Sequence, residues 1–428
     1  MPYTTDLFYL LGAPVFLSAY LYKITFKKKY RESSRGMLGR NLNGEPWGDS
    51  SDSDRLRLWL HAVSVGEVVA GKAVLSEWVK HQENSRIVAS TVTETGQQNA
   101  KSLLSEAEEF TYYPLDISPI VKRFLDHYNP QVYIMMETEI WPNFLRMAAK
   151  RGVKIFLANG KLSDKSYKRW KKFYRFVPGA FESFTALCVQ TERDKEKFLT
   201  FIKDPSRIKV TGNCKFDSSG EALSENERTE MLKRLHLAPK SRIIVAGSSH
   251  PGEEELILDA WEAVRKETPE LKLILAPRHP DRFHESENML RNRGLKYSLY
   301  TEPETENPNV VLVNTIGVLA KIYGLGEAAI VGGSFVNIGG HNLLEAAVHG
   351  IPVIYGPHMQ NQPEIVRIFE DNPGGIQIPA GKLTSVLKRI SMDEEERRSR
   401  GKAAAAAAAK NRGSAKLTVD FIRSFIEK

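Results

Sequence analysis

The chain has 428 residues, of which 42% are hydrophobic and 26% are charged, and its formal net charge is +8. This length exceeds what one ordinary hydrophobic core needs, so we expect two domains, and the composition excludes a disordered protein. The two cysteines, Cys188 and Cys214, exclude a disulfide framework and show no metal-binding spacing, which favours a reducing compartment.

The positive charge is concentrated in two segments. Residues 1–35 contain six Lys or Arg and two acidic residues, whereas residues 161–175 contain seven Lys or Arg and one Asp. These two surpluses together exceed that of the whole chain, so the remainder is slightly negative. Local basicity of this kind predicts anionic partners at particular places and argues against a general nucleic-acid-binding protein.

The N-terminus carries an apolar run, LFYLLGAPVFLSAYLY, over residues 7–22, with five basic residues between Lys23 and Arg31. No positive charge precedes the run, unlike in a secretory signal peptide. The run is shorter than the roughly 20 residues that span a bilayer, although Lys23 can snorkel and apolar residues follow it. We predict a hydrophobic membrane-anchor helix whose basic flank keeps the rest of the chain in the cytoplasm. The alternatives are a helix lying in the membrane surface and one buried against the first domain.

Short β-rich runs alternate with helical runs twice along the chain. In the first series, strands are predicted at 56–64, 86–92, 110–115, 131–137, 153–160, 186–191 and 207–213, with helices at 68–81, 96–109, 120–127 and 141–150. In the second, strands are predicted at 242–249, 271–277, 309–314, 328–335 and 351–357, with helices at 253–267, 283–293, 318–323, 343–350 and 401–410. Such alternation predicts two doubly wound α/β domains with parallel sheets, in which ligands bind at the carboxyl ends of the strands.

The predicted organisation has four parts. They are an anchor and basic flank at 1–35, a first domain at 36–217, a polar linker at 218–240 and a second domain with C-terminal helices at 241–428.

Glu67 lies three residues after Ser64 in HAVSVGE, where the first strand turns into a helix. The pair fits a capping box, in which the Ser hydroxyl and the Glu carboxylate each accept a free backbone N–H. Glu67 also fits a carboxylate at the mouth of a cleft, available as a base beside a helix N-terminus. The eleven residues around it favour the cap, and only the rest of the chain favours the base.

The first domain offers a second acidic pair. Glu137 and Glu139, in METEIWPN, follow a strand and alternate along it, so they are expected to share one face. Two adjacent carboxylates are costly unless cations or substrate hydroxyls accompany them. Lys215, in TGNCKFD, follows the last predicted strand of this domain.

A basic and aromatic segment covers residues 159–176. Tyr167, Trp170 and Tyr174 recur at helical spacing and form an apolar stripe beneath a basic face. Burial of the aromatic face with solvated lysines and docking to an anionic lipid surface are equally favoured.

The most informative segment of the second domain is GGSFVNIGGHNLLEAAVHGIPVIYGPHMQN, at 332–361. The glycines Gly339 and Gly340 lead into a predicted helix near Asn342, whose amides favour phosphate, with Glu345 available for ribose hydroxyls. The alternative is a tight turn capped by Asn342. The surrounding histidines, His341 and His349, favour ligand binding.

Two further segments after strands suit anions. AGSSHPGEEE, at 246–255, precedes a helix and is a second candidate anion site. Arg278 and His279 directly follow LKLILAP, and an Arg fork suits phosphate or carboxylate. A salt bridge from Arg278 to Asp281 or to a neighbouring Glu is nearly as well supported.

In combination and in this order, these motifs resemble those of the bacterial 3-deoxy-D-manno-oct-2-ulosonic acid (Kdo) transferases. The resemblance covers about residues 7 to 365. It implies the GT-B glycosyltransferase fold, with two Rossmann-like domains facing a central cleft behind a membrane anchor. It also implies transfer of Kdo from CMP-Kdo to the lipid A precursor, lipid IVA, at the cytoplasmic face of the inner membrane. No cofactor, metal or nucleic acid is implied.

The resemblance also implies roles for particular residues. Glu67 matches the general base of the family, and Glu137 and Lys215 match residues that stabilise the transition state. The matches to CMP-contacting residues are Pro277, Arg278, Ile316, Gly317, Val318, Asn342, Leu343, Leu344 and Glu345. Acceptor contacts are expected from Lys161, Ser163, Lys168 and Arg169.

Three positions depart from the family pattern. Val318 stands where Glu is usual, Lys161 stands where Arg is common, and Gln362 stands where Phe is usual. An epimerase or transferase using a UDP donor, and a membrane-tethered glycolipid-binding protein, are the alternative functions. The number of Kdo residues added, the acceptor phosphates required and the oligomeric state do not follow from the sequence.

Overall fold

The structure, a computed structural model, describes residues 6, 31–40, 42, 45–47, 54–174, 179–370 and 372–427. The chain divides into two compact units. The first comprises residues 1–218 and 412–428, and the second comprises residues 219–411.

The first unit is built on a seven-stranded parallel sheet. Its strands are β1 Leu56–His61, β2 Ser85–Thr91, β3 Glu109–Tyr112, β4 Val132–Met136, β5 Lys154–Gly160, β6 Ala186–Val189 and β7 Ile208–Val210. The helices that precede these strands or lie between them are α1 Arg31–Met37, α2 Val65–Val79, α3 Glu94–Leu103, α4 Ser118–Tyr128, α5 Pro142–Lys150, α6 Asp164–Phe173 and α7 Glu192–Leu199. The strand order is β3-β2-β1-β4-β5-β6-β7, so the direction of winding reverses between β1 and β4.

The second unit repeats this plan. Its strands are β8 Arg242–Ser249, β9 Leu271–Pro277, β10 Tyr297–Leu299, β11 Val310–Leu312, β12 Ala328–Val331, β13 Val353–Tyr355 and β14 Gly375–Gln377. Its helices are α8 Glu225–Arg234, α9 Glu253–Arg265, α10 Phe283–Asn292, α11 Leu319–Ile322, α12 Leu344–Ala347, α13 Pro363–Glu370, α14 Leu383–Met392 and α15 Glu394–Lys410. The strand order is β10-β11-β9-β8-β12-β13-β14, with the reversal between β8 and β12. The prediction of two parallel α/β sheets is therefore confirmed.

The strands owe their position to apolar residues on both faces. In β1, Trp59 joins one buried cluster, with Tyr133 and Phe144, while Leu58 and Leu60 join the cluster on the opposite face of the sheet. Strands covered by helices on both faces are expected to be largely apolar, and the polar residues of β1, Arg57 and His61, lie toward its two ends. The polar groups of the sheet are thereby confined to its ends, where the loops lie.

The last helix, α16 Ser414–Arg423, differs from the sequence prediction. We had assigned residues 412–428 to the second domain, but they belong to the first unit. Ala415, Val419 and Ile422 join the buried cluster of α2 and β1, and both carboxylate oxygens of Asp217 accept N–H groups from Gly413 and Ala415. The order of residues along the chain does not show that α16 packs on the first unit. That placement depends on burial of the apolar face of α16, which occurs only in the folded protein.

The predicted linker at 218–240 also contains ordered structure. The helix α8 lies within it and begins with a capping box formed by Ser224 and Glu227. The predicted anchor run at 7–22 lies outside the described residues. Among the residues that the structure does describe, no helix is both long enough and apolar enough to cross a membrane.

We expect Ile422→Ala to destabilise the first unit by about 2–5 kcal/mol, because Ile422 is fully buried and its truncation leaves a cavity. Leu417→Ala is the matched control, since Leu417 on the same helix is 45% exposed and its loss should change the free energy of unfolding by less than about 0.5 kcal/mol. Urea-induced unfolding of the full chain measures both. Equal effects of the two substitutions would contradict the packing of α16 on this unit.

Candidate active site

Glu67 and Glu137 lie at the point in the first unit where the strand order reverses. Glu67 is in the first turn of α2, which follows β1, and Glu137 directly follows β4. These two strands are neighbours in register, with His61 opposite Met135. Ligands of doubly wound sheets bind at this position, beyond the carboxyl ends of the strands.

The structure shows that Glu67 acts as a cap. Its carboxylate accepts a hydrogen bond from the Val63 N–H at 2.8 Å and another from the Ser64 hydroxyl at 3.0 Å. In return, the Glu67 N–H donates to the Ser64 Oγ at 3.3 Å. The arrangement is close to a capping box, but the carboxylate bonds the residue before the N-cap.

Despite these hydrogen bonds, Glu67 is an unusually weak acid for a carboxyl group. Only 7% of its surface is exposed, and this burial raises the pKa of the carboxyl from 4.5 to about 7. The charges of Glu137 and Glu139 raise the pKa further, while the hydrogen bonds from Val63 and Ser64 lower it. A carboxyl that titrates near neutral pH can take a proton from a substrate and release it again.

Glu137 and Lys215 form an ion pair beside Glu67. The Lys215 Nζ lies 2.6 Å from a carboxylate oxygen of Glu137, and both side chains are partly exposed. The Lys215 side chain also passes over Gly66, where an added Cβ would lie 3.3 Å from Nζ. The ammonium group therefore reaches the residue next to Glu67, as the predicted grouping of the three residues requires.

The backbone that presents this pair is strained. Glu137 has a φ of 53° and Asn159, at the end of β5, has a φ of 57°, both in the left-handed region that non-glycine residues rarely adopt. The Asn159 Oδ1 accepts the Cys214 N–H at 2.9 Å and so holds the loop that carries Lys215. Strained residues of this kind occur preferentially at functional sites.

Glu139, the other member of the predicted acidic pair, has a different partner. Its carboxylate accepts the indole N–H of Trp141 at 3.2 Å, and burial raises its pKa. Its charge still acts on Glu67, as does that of Glu137. The two acids do not alternate along a strand as predicted, because β4 ends at Met136.

The aromatic stripe of α6 is packed against the protein. Tyr167 and Tyr174 contact Phe201, with ring centroids 6.0 and 5.5 Å apart, and Trp170 contacts Phe181 at 5.5 Å. The structure thus supports the burial alternative for the aromatic face. The basic side chains of the helix point outward, and those that are exposed are Lys165, Lys168, Arg169, Lys171 and Lys172.

Two of the predicted acceptor-binding residues, Ser163 and Lys161, form hydrogen bonds within the first unit. Ser163 is the N-cap of α6 and accepts the Ser166 N–H at 3.2 Å. The carbonyl of Lys161 accepts the Thr138 hydroxyl at 2.6 Å, which joins the loops after β4 and β5.

In the second unit, one buried carboxylate of the protein binds backbone amides from both segments in which anion sites are predicted. Glu253, at the start of α9, is fully buried and accepts four backbone N–H groups. They come from His250 at 3.0 Å, Gly333 at 2.7 Å, Ser334 at 3.1 Å and Phe335 at 2.8 Å. These amides therefore cannot also hold a phosphate. Nothing in the sequence distinguished Glu253 from the two glutamates that follow it.

The amides of Gly339 and Gly340 are also occupied, since both donate to the carbonyl of Gly333. Both glycines have positive φ angles, and a side chain at either would collide with Asn361 or Met359. Their role is close packing of two loops, which corrects the prediction that they admit a ligand to the backbone.

The helix expected at Asn342 is α12, which has only four residues. The Asn342 Oδ1 accepts the Leu344 N–H at 3.0 Å, as in the capped-turn alternative. Glu345 lies near the amide of Asn342, and burial raises the pKa of its carboxyl, although the charge of Arg278 opposes this. The cap therefore occupies an amide of the turn that we had predicted would bind phosphate.

Arg278 directly follows β9, and its side chain is exposed. Among the described residues its guanidinium forms no salt bridge, which argues against the alternative of an ion pair to Asp281 or to a neighbouring Glu. The nearby Arg282 pairs with Glu254 and Glu285. The other predicted donor contacts lie at the end of β9 and in the loop before α11. Pro277 is buried at the end of β9, Ile316 is 55% exposed, and Gly317 and Val318 lead into α11.

Three histidines gather around Arg278 at the strand reversal of this unit. The rings of His250 and His341 are in contact, and His279 lies 5.3 Å from His250 between ring centroids. Among the described residues, no group of three or more His, Cys, Asp or Glu side chains could hold a metal ion. His341 lies in a motif whose histidines favour ligand binding, and His279 adjoins Arg278, whereas nothing in the sequence distinguishes His250.

The sequence matches the family model described as 3-deoxy-D-manno-octulosonic-acid transferase (kdotransferase) over residues 30–218. A 3-deoxy-D-manno-octulosonic acid transferase from Chlamydophila psittaci is 33% identical over 343 residues, covering 79% of this chain and 78% of the relative. The corresponding protein of Haemophilus influenzae is 29% identical over 391 residues, covering 89% and 90%. The chain spans only 58% of a similar bifunctional glycosyltransferase/methyltransferase from Fusobacterium nucleatum.

Solved structures resemble the chain in fold. A putative UDP-N-acetylglucosamine 2-epimerase from Listeria monocytogenes superposes with a TM-score of 0.55 at 13% identity, covering 87% of this chain and 97% of that one. At such low identity the similarity extends to the fold alone, two Rossmann-like units. The similarity in sequence goes further, because it runs along most of both chains in the Chlamydophila relative. This chain therefore belongs to the 3-deoxy-D-manno-octulosonic acid transferase family, a family of glycosyltransferases.

Proposed function

We propose that the protein is an inverting glycosyltransferase that moves Kdo from CMP-Kdo to the lipid A precursor, lipid IVA, with Glu67 as general base. One observation carries the assignment of the base. Glu67 is a buried carboxyl with a pKa raised to about 7, placed at the strand reversal beside the pair formed by Glu137 and Lys215. A perturbed pKa beside specific charged partners is characteristic of catalytic sites.

The chemistry is a single displacement. An acceptor hydroxyl attacks the anomeric carbon of Kdo and loses its proton to a carboxylate oxygen of Glu67. The new C–O bond forms as the bond between the anomeric carbon and the phosphate oxygen breaks, and CMP leaves with both electrons of that bond. Attack from the face opposite the leaving group inverts the anomeric centre, and Glu67 then returns its proton to solvent.

Lys215 is the proposed counter-charge for the carboxylate of Kdo. Its ammonium reaches past Gly66 to the neighbourhood of Glu67, where the reacting carbon would lie. Glu137 holds the ammonium at 2.6 Å and thereby fixes its direction. A preorganised charge of this kind lowers the barrier because it requires no rearrangement during the reaction.

The donor is proposed to bind the second unit. Arg278 supplies an exposed guanidinium that forms no salt bridge with the described residues, which suits the phosphate of CMP. Asn342, Leu343, Leu344 and Glu345 would contact the nucleoside, together with Pro277 and the loop of Ile316, Gly317 and Val318. Because the amides of Gly339 and Gly340 are occupied, side chains must supply most of the phosphate contacts.

The acceptor and the membrane are proposed to meet the first unit. The exposed basic residues of α6 form a cationic surface, which suits the phosphates of a lipid A precursor and an anionic lipid headgroup layer. With the apolar run at 7–22, this surface would hold the enzyme at the cytoplasmic face of the inner membrane. Lys161, Ser163, Lys168 and Arg169 are the proposed acceptor contacts.

Glu67→Gln should reduce Kdo transfer by about 10²–10⁴-fold, because the amide cannot take the proton. The amide oxygen can still accept the Val63 N–H, so the cap and the melting temperature should survive. The assay uses detergent-solubilised protein, CMP-Kdo generated in place and a tetra-acylated lipid A precursor, with products identified by mass spectrometry.

Glu227→Gln is the matched control for this substitution, since Glu227 is a capping-box glutamate far along the chain in the second unit. It should leave transfer unchanged. Retention of activity in Glu67→Gln would return Glu67 to a purely structural role. Absence of transfer by the folded wild-type protein would contradict the proposed donor or acceptor, and UDP-sugars would then be tested.

The acid limb of the pH profile of kcat/KM should have an apparent pKa of about 7, since transfer requires the ionised form of Glu67.

The raised pKa of Glu67 should also make folding stability depend on pH, and stability should decrease over the range in which activity increases. The folded protein holds the Glu67 proton up to about pH 7, whereas the unfolded chain releases it near 4.5, so stability falls as pH rises between these values. Denaturant unfolding against pH should therefore show wild type losing stability relative to Glu67→Gln over this range. Parallel curves would contradict the raised pKa.

Lys215→Met should reduce transfer by about 10²-fold and move the acid limb to higher pH. The substitution removes the charge proposed to face the Kdo carboxylate, and it leaves the Glu137 carboxylate uncompensated beside Glu67. Lys72→Met is the control, because Lys72 forms a comparable ion pair with Glu106 at 2.7 Å in the same unit. Equal rates for the two variants would remove Lys215 from the proposed mechanism.

A further inference from the structure

The rings of His250 and His341 meet edge to edge. Their Nε2 atoms are 2.9 Å apart, and the ring planes differ by only 6°. The ring centroids are 5.2 Å apart, which exceeds the nitrogen separation by about two ring radii. Each nitrogen therefore points directly at the other, and one proton must lie between them, donated by one ring and accepted by the second.

This geometry fixes how many N–H donors the pair can present. In the neutral pair, the ring that accepts at Nε2 carries its own proton on Nδ1, and the other Nδ1 has none. One added proton gives the pair a single positive charge and two Nδ1–H donors. Among the described residues neither Nδ1 has a hydrogen-bond partner, and neither is sealed from solvent. Both are therefore available to a ligand.

Burial, assisted by neighbouring positive charges, keeps the pair neutral in the absence of a ligand. Burial lowers the pKa of His341 to about 4, and the positive charge of Arg278 contributes, as do His250 and His279. Burial also lowers the pKa of His250, with Arg278, His279 and Arg282 acting in the same direction.

The negative charge of Glu253 raises the pKa of His250. However, the Glu253 carboxylate already accepts hydrogen bonds from four backbone N–H groups. Apart from Glu253, the charged groups that act on the two histidines are cationic, so the pair lies in a net positive environment. An anion entering it would favour the protonated form.

Few other donors remain for an anion at this edge of the sheet. The amides of Gly333, Ser334 and Phe335 bind Glu253, and those of Gly339 and Gly340 bind a carbonyl. Both imidazole rings also pack against Gly333, where an added Cβ would lie 2.9 Å from His341 and 3.4 Å from His250. The absence of a side chain there leaves room for the two rings to meet.

We propose that His250 and His341 form a proton-accepting phosphate site that takes up one proton when the nucleotide monophosphate product is bound. The inference rests on the proposed function, since it concerns the phosphate of CMP. In the donor, the phosphodiester carries one negative charge. When the bond to Kdo breaks, the phosphate gains a second charge, and the pair takes a proton from solvent to become a cation with two N–H donors. The pair thereby stabilises the leaving group together with Arg278.

The test is calorimetric titration of the full-length protein with CMP at pH 7.0 in two buffers that differ in ionisation enthalpy. The dependence of the observed heat on the buffer gives the number of protons exchanged on binding. Wild type should take up a proton, to a limit of one per nucleotide. Its dissociation constant should rise with pH by up to tenfold per unit. Cytidine, which lacks the phosphate, should bind without uptake.

His341→Gln is the diagnostic variant, because an amide can hydrogen-bond His250 but cannot be protonated. Its proton uptake should vanish, and its affinity for CMP should lose the pH dependence and fall about tenfold at pH 6.5. If His341→Gln does not fold, His250→Gln removes the other protonatable ring of the pair and should show the same loss of proton uptake. His284→Gln, at an exposed histidine of α10, should behave as wild type.

Two results would overturn the inference: CMP binding to wild type without proton uptake, or uptake that persists unchanged in His341→Gln. A third result has a different meaning. If folded wild type does not bind CMP at all, the proposed donor is wrong, and the site loses the ligand that it was inferred to serve.

Discussion

The buried carboxylate of Glu253 organises the second unit at the edge where a donor would bind. It draws four backbone N–H groups from two loops onto one side chain, the loop after β8 and the loop after β12. A carboxylate without such donors would not remain charged inside a protein, and these amides without an acceptor would be equally unfavourable. The two loops are therefore held at one separation, which brings the rings of His250 and His341 together.

The first unit has a buried carboxylate at the corresponding place, and the contrast between the two explains their different roles. Glu67 also follows the first strand of its sheet, but it accepts only one backbone N–H and one hydroxyl. Burial raises the pKa of Glu67 to about 7, the charges of Glu137 and Glu139 add to this shift, and the few hydrogen bonds to the carboxylate offset it only in part. Glu253 joins two loops through four N–H groups, whereas Glu67 can exchange a proton near neutral pH.

Both units also place strained backbone at their strand reversals. Glu137 follows β4 with a φ of 53°, and Ser248, near the end of β8, has a φ of 56°. Such conformations cost about 1–3 kcal/mol each and persist only where the surroundings enforce them. At Glu137 the enforcement includes the ion pair with Lys215 and a backbone hydrogen bond from its N–H to Ala158. The strained backbone directs the Glu137 carboxylate toward Glu67. An extended strand would direct that carboxylate elsewhere.

The sequence by itself determined the two parallel sheets, because apolar runs at strand length alternate with amphipathic helices at a spacing that permits little else. Its motifs, in their order, also indicated the family, and that resemblance implied catalytic roles for Glu67, Glu137 and Lys215. It could not decide which backbone amides remain available, since Glu253 and the carbonyl of Gly333 reach them from distant positions. For the same reason it assigned α16 to the wrong unit and expected phosphate contacts at Gly339, Gly340 and the turn at Asn342. The pairing of His250 with His341, 91 residues apart in the chain, likewise depends on two loops that only the folded sheet brings together. Residue types and their order follow from the sequence, whereas the occupancy of each donor and acceptor depends on contacts that form only in the tertiary structure.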